Sequence, residues 1–272
     1  MSFITLSSGG LERGKKIPFL NTIDMIWRIL AAIVWFLVAS LMAMLLLPFR
    51  WRNPTVGHVF AKLLHTVGLR IFGLKVMVHN PERMDQRPCV YVANHQSNLD
   101  IFTMSTIYPP DTVVIGKKEL KWLPLFGWLF AGAGNVMIDR KNRTHSLSGF
   151  DDAAKAVRQR GLSVWIFPEG TRNRGSAEML PFKKGAFHLA VRAQIPIVPI
   201  VHQHLHRYFD YDKHWFNHKD DVHIQVLEPV TTAGLGVGDI ETLMATVRSK
   251  MDEVLKQPLY RPEPLAPASS KG

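Results

Sequence analysis

The chain holds a single cysteine, Cys89, in 272 residues. No disulfide framework can form within it, which fits a reducing compartment. Cys89 sits inside an apolar run and reads as a packed core thiol. Internal repeats are absent, as are the glycines of a nucleophile elbow. No Cys/His cluster completes a zinc site; His202, His204 and His206 alternate in VHQHLHR, and without further ligands nearby they read as strand-end or surface histidines. Acidic residues are scarce: 22 Asp and Glu face 33 Lys and Arg, leaving a net charge of +11. That imbalance favours an anionic partner, whether nucleic acid, anionic lipid or a phosphorylated substrate. Interleaved aromatic and basic residues, which would mark a nucleic-acid binder, are missing. With 47% apolar and 20% charged residues the chain is not a disordered protein.

What the chain does have is one long uncharged run, Ile29 to Leu47, ILAAIVWFLVASLMAMLLL. As a helix its 19 residues would be about 28 Å long, close to a bilayer core. It is long for a signal-peptide core, and no small-residue cleavage site follows it. Arg13, Lys15, Lys16 and Arg28 precede it; Arg50, Arg52 and Lys62 follow, so charge sets no direction for a single span. Val56 to Leu74 then carries apolar residues at helical spacing, dotted with Lys62 and Arg70. Two adjacent helices with basic ends predict a hairpin dipping into one leaflet, the alternative for the second being packing on the core.

Beyond Leu74 short Val- and Ile-rich runs alternate with helical patterns. The spacing predicts strands at 75–79, 88–93, 112–116, 135–139, 162–167, 196–201 and 222–227. Helices are predicted at 99–106, 123–131, 144–160, 182–193 and 240–255. This is an α/β pattern with a mostly buried mixed sheet flanked by helices. The two prolines of PIVPIV argue for an edge or irregular strand there. The domain reading is 1–74 for the membrane-anchoring helices, 75–257 for the α/β domain and 258–272 for a disordered Pro-rich tail.

Four stretches carry the chemistry. In NHQSNLD, Asn94 to Asp100, Ser97 and Asp100 have the spacing of a capping box, which explains Asp100 but not His95. A histidine ahead of a helix start is held neutral by the positive end of the helix, and a neutral imidazole accepts a proton. A carboxylate in the first turn can hold its other nitrogen. FPEGTRNRG leaves a strand, turns at Gly170 and presents Arg172 and Arg174, which suit phosphate oxygens. PFKKGAF puts Lys183 and Lys184 at a helix start, and GNVMIDRKNR puts Arg140, Lys141 and Arg143 after a strand. The ends of strands are where open α/β sheets bind ligands.

In order, NHQSNLD, GNVMIDR, FPEGTR and IPIVPIV resemble the four blocks of the 1-acylglycerol-3-phosphate acyltransferase family, over residues 75–205. The resemblance implies transfer of an acyl group to lysophosphatidic acid, giving phosphatidic acid in phospholipid biosynthesis. It implies His95 as general base and Asp100 as its orienting partner. It implies Glu169, Gly170, Thr171 and Arg172 as the acceptor pocket, with Arg140 and Lys183 as further phosphate ligands. No metal or cofactor is implied; acyl-CoA or acyl carrier protein is a cosubstrate. The implied setting is a membrane, at the cytoplasmic face of a bacterial inner membrane. Alternatives are another lysolipid or glycerol 3-phosphate as acceptor, or a non-catalytic membrane protein.

Overall fold

A computed structural model of the chain describes residues 18–139, 143–173, 178–205, 209–210, 215–216 and 221–260. The uncharged run lies in helix α1, Pro18–Met44, and is followed by α2, Pro54–Phe72. Helix α1 begins well ahead of the uncharged run, because PFLNTIDMIWR continues its periodicity and Arg28 pairs with Asp24 one turn back at 2.8 Å. Asn53 Oδ1 caps α2 by accepting from Thr55 N–H at 2.9 Å, Pro54 opens it, and Gly73 at φ 63° closes it. The two helices run antiparallel: Arg28 donates to Ile71 O, and Trp35 Nε1 donates to Leu63 O at 3.0 Å. Within α1, Thr22–Met44 is long and apolar enough to cross a membrane, with mean hydropathy 2.1.

Seven strands form one sheet: β1 Val76–His79, β2 Val90–Ala93, β3 Thr112–Lys117, β4 Val136–Ile138, β5 Ser163–Ile166, β6 Ile197–His202 and β9 Val222–Val226. Phe209–Asp210 and Trp215–Phe216 pair separately as β7 and β8. The order is β1-β9-β6-β2-β5-β3-β4, parallel throughout except for the antiparallel β6–β9 pair. Side chains alternate between two cores. Val90, Val92, Val164, Ile166 and Ile197 face helices α5 (Arg143–Arg160), α6 (Gly185–Ala193) and α7 (Ile240–Leu255). Tyr91, Ala93, Trp165, Val198 and Ile200 face the other way. Burial on both faces is why these strands read as unbroken apolar runs. Helices α3 (Asp100–Thr103) and α4 (Phe126–Gly132) complete the fold. The hairpin shares a cluster with the body: Ala39, Val56, Phe60 and Leu64 pack with Leu99, Phe102 and Leu129.

Two expectations are refined. Of the alternatives for β6, edge or irregular, the second holds: the strand is interior, and its pairing with β9 is interrupted at the proline. Its ladder to β9 starts at Ile200, while Ile197 and Val230 exchange two bonds across an isolated bridge (2.9 and 2.7 Å). Pro199 falls between them and accepts from Leu227 N–H at 2.9 Å, so its missing N–H costs one bond rather than the strand. Residues 258–260, assigned above to a disordered tail, are placed: the Tyr260 ring is buried in the core beneath α7. Residues 261–272 lie outside the described residues.

Candidate active site

The carboxyl ends of β2, β5 and β3 open on one side of the sheet, and the site is built there. Strand β2 stops at Ala93, and the next six residues turn the chain into α3. Asn94 stitches this turn to β6: its Nδ2 donates to His202 O at 2.9 Å, and its Oδ1 accepts from His202 N–H at 2.7 Å. Asp100 is 1% exposed. Its Oδ2 accepts from His95 Nδ1 at 2.6 Å, Gln96 N–H at 2.7 Å and Ser97 N–H at 3.1 Å. One oxygen therefore holds both the histidine ring and the loop backbone; the expected capping box does not form, since α3 is capped at Leu99 without a side-chain bond and Ser97 Oγ accepts from Leu99 N–H at 3.2 Å. Nδ1 is the donor, which leaves the Nε2 lone pair free to accept; among the described residues Nε2 has no partner. The ring lies flat on Phe167, with centroids 4.1 Å apart and planes 17° apart.

The FPEGTR loop braces the same turn from behind. Glu169 is 2% exposed, and both its oxygens are taken: Oε1 accepts from His95 N–H at 2.8 Å, and Oε2 from Leu180 N–H at 2.9 Å. Burial raises its pKa above the ordinary carboxylate value, while the two N–H bonds pull it down. Expected to build the acceptor pocket, Glu169 instead fixes the histidine's backbone, because its carboxylate turns inward. Asn173 N–H donates to His95 O at 2.8 Å and ties the loops a second time. Gly170, at φ 71°, makes the tight turn that leaves Thr171 and Arg172 exposed at the rim.

His95, Asp100, Gly170, Thr171 and Arg172 all line one cavity of about 470 Å³. Its inner wall is apolar: Phe36 of α1, Phe60 and Leu64 of α2, Ile115 of β3, and Leu129 and Phe130 of α4. Lys117, at the end of β3, also lines it. The sequence reading missed Lys117, although a cation following a strand run was the signal used elsewhere. Lys183 is exposed beside the FPEGTR loop, its N–H donating to Pro168 O at 2.7 Å, and its side chain is not part of the cavity wall. Arg140 and Arg174 lie outside the described residues; Asp139, just before Arg140, pairs with Lys118.

His202 and His204 are buried braces rather than surface groups. His202 Nδ1 donates to Gln203 O at 2.6 Å, and its Nε2 meets Thr103 Oγ1 at 2.9 Å; burial lowers its pKa and keeps it neutral. His204 Nδ1 meets Gln96 Oε1 at 3.0 Å. His206 lies outside the described residues.

An imidazole with a free lone pair, backed by a buried carboxylate and opening on an apolar cavity with cations at its rim, suits proton removal from a hydroxyl of an amphiphile. This is the class of the acyltransferases, and the model of the acyltransferase family matches residues 75–203. Named 1-acyl-sn-glycerol-3-phosphate acyltransferase are a protein of Escherichia coli, 34% identical over 237 residues, and one of Haemophilus influenzae, 37% identical over 205 residues. These matches cover 85% and 75% of this chain, and 93% and 83% of the relatives. The chain belongs to the 1-acyl-sn-glycerol-3-phosphate acyltransferase family. Its fold matches the crystal structure of the 1-acyl-sn-glycerophosphate acyltransferase of Thermotoga maritima with a TM-score of 0.67 at 22% identity, covering 89% of this chain and 99% of that one.

Proposed function

We propose that this enzyme moves a fatty acyl group from an acyl thioester to the free sn-2 hydroxyl of 1-acyl-sn-glycerol 3-phosphate, giving phosphatidic acid. His95 Nε2 takes the hydroxyl proton as that oxygen attacks the thioester carbonyl. The tetrahedral intermediate collapses with cleavage of the C–S bond, and the imidazolium returns the proton to the departing thiolate. Asp100 holds the ring through Nδ1 and stabilises the imidazolium while it exists. The thioester is already activated, so the reaction needs no covalent acyl-enzyme and no cofactor; the donor is acyl-CoA or acyl carrier protein. Arg172 and Lys117 face the acceptor phosphate at the rim, and the apolar wall takes an acyl chain. Lys183 and Arg140 are further phosphate ligands in this reading. The exposed stripe of α1 associates with the membrane, and the site works at its cytoplasmic face, where such thioesters are found.

The observation that carries this reading is the 2.6 Å bond from His95 Nδ1 to a buried carboxylate at the mouth of an apolar cavity. The test is His95→Ala in the full chain, assayed with lysophosphatidic acid and a panel of other acceptors. Turnover should fall by about 10²–10⁴-fold, the usual worth of a positioned base, with helicity and vesicle binding retained. Near-normal turnover, or no preference for lysophosphatidic acid in the parent, overturns it.

A further inference from the structure

Two tryptophans stand outside the cavity and are not explained by acyl transfer. Trp122, in the turn before α4, is 75% exposed, and Trp128 of α4 is 72% exposed. Tryptophans left in solvent within one short segment mark a surface that meets something apolar. Helix α4 stands against the hairpin. Phe126 meets Phe36 of α1 with ring centroids 5.1 Å apart, and Arg52 N–H donates to Gly132 O at 2.6 Å. A Cβ at Gly132 would collide with Leu47 at 2.6 Å and approach Trp51 at 3.1 Å. Trp128 lies one helical turn before Gly132 on the same face of α4, which puts it on the side of exposed Trp51. The patch thus continues the outward stripe of α1, where Leu41 is exposed, through Leu45 and Phe49 of the turn that follows. At its other end Leu123 is 48% exposed and also lines the cavity.

Charge identifies the occupant. Lys121 stands over the Trp122 ring with Nζ 4.7 Å from its centroid. Lys117 precedes it, Lys118 being paired with Asp139; Arg50 and Arg52 flank Trp51, and Glu119 is the one acid in the 117–128 segment. An exposed indole with a cationic amine beside it is the pairing found at the headgroup layer, where the ring is half in hydrocarbon and the cation meets lipid phosphate.

We propose that residues 121–128 are a second lipid contact, in which Trp122 and Trp128 enter the headgroup layer of an anionic bilayer alongside α1 and hold the cavity rim at the membrane surface. An amphiphilic acceptor then passes from bilayer to cavity along an apolar wall, without crossing water. The proposal rests on the membrane association of α1.

Cys89 is the only cysteine and is fully buried, so a nitroxide can be attached selectively elsewhere. The full chain carrying Trp122→Cys, Trp128→Cys or, as a control on α1, Leu30→Cys is labelled and added to vesicles of phosphatidylcholine and phosphatidylglycerol. All three labels should lose access to a water-soluble nickel complex and gain access to oxygen. If positions 122 and 128 stay open to nickel while position 30 enters lipid, this contact is refuted and the α1 anchor stands. If position 30 also stays in water, both fail. If labels 122 and 128 lose access to both reagents and show spin–spin broadening, the patch joins two copies of the chain and the proposal is overturned. A Trp122→Asp, Trp128→Asp variant should keep its rate on a monodisperse short-chain acceptor and lose rate on a vesicle-borne one; equal loss on both refutes the contact.

Discussion

Asp100 Oδ2 accepts three N–H groups, while its Oδ1 is buried with no partner among the described residues. Asp100→Asn can therefore keep the loop bonds through its oxygen but places an amide at the empty position. We expect a stability loss of about 1–3 kcal/mol from that orphaned donor, read as a lower thermal midpoint. We also expect turnover to fall on the order of 10²–10⁴-fold, because the imidazolium loses its anionic partner. A variant that is less stable but equally fast would show that Asp100 only starts the helix. At this scale the sequence brings much of the cavity lining to view: His95 and Asp100 of NHQSNLD and Gly170, Thr171 and Arg172 of FPEGTR, two motifs, all line the cavity. It misjudged Glu169, since a motif fixes which residue is present but not which way its side chain turns. The two backbone N–H groups that turn this one inward come from His95 and Leu180, at separations of 74 and 11 residues.

Elements were legible because their periodicities are local. All seven sheet strands and the helix at 240–255 lie where Val/Ile runs and helical spacing put them. The cavity was not legible, because α1, α2, β3 and α4 each supply one wall and none of them is special alone. Gly57 of α2 shows the consequence. It lines the cavity, and a Cβ there would find Tyr108 Oη at 3.7 Å and Ala133 Cβ at 3.9 Å, ordinary contacts with room beyond. Gly57→Leu should fold, since leucine favours a helix over glycine by several tenths of a kcal/mol, about 1 at most. Its side chain would fill part of the cavity, so competition between short- and long-chain acyl thioesters should shift towards short chains. An unchanged profile would mean that no acyl chain reaches this wall.

For the whole molecule, His202 joins the sheet to the active-site turn, and its burial makes stability depend on pH. Burial holds its pKa below the ordinary histidine value of 6.5. The unfolded chain therefore takes up a proton that the fold refuses. The stabilisation is complete above pH 6.5 and is lost as pH falls from there towards the folded pKa. Urea midpoints measured between neutral and mildly acidic pH should decline with a slope of up to about 1.4 kcal/mol per pH unit for this one proton. His202→Gln should be less stable at neutral pH and show a shallower decline; an equal slope in both would place the titration elsewhere.

The sequence by itself determined the strands, the helices, the long apolar segment and the His–Asp pair, because each depends on residues near one another in the chain. Tertiary structure alone decided that a proline-bearing strand lies inside the sheet, that Glu169 faces inward, and that Lys117 joins the rim while the Lys183 side chain stays off the cavity wall. Those outcomes depend on which distant backbone groups and walls come together, and strand order and side-chain direction leave no local pattern to read.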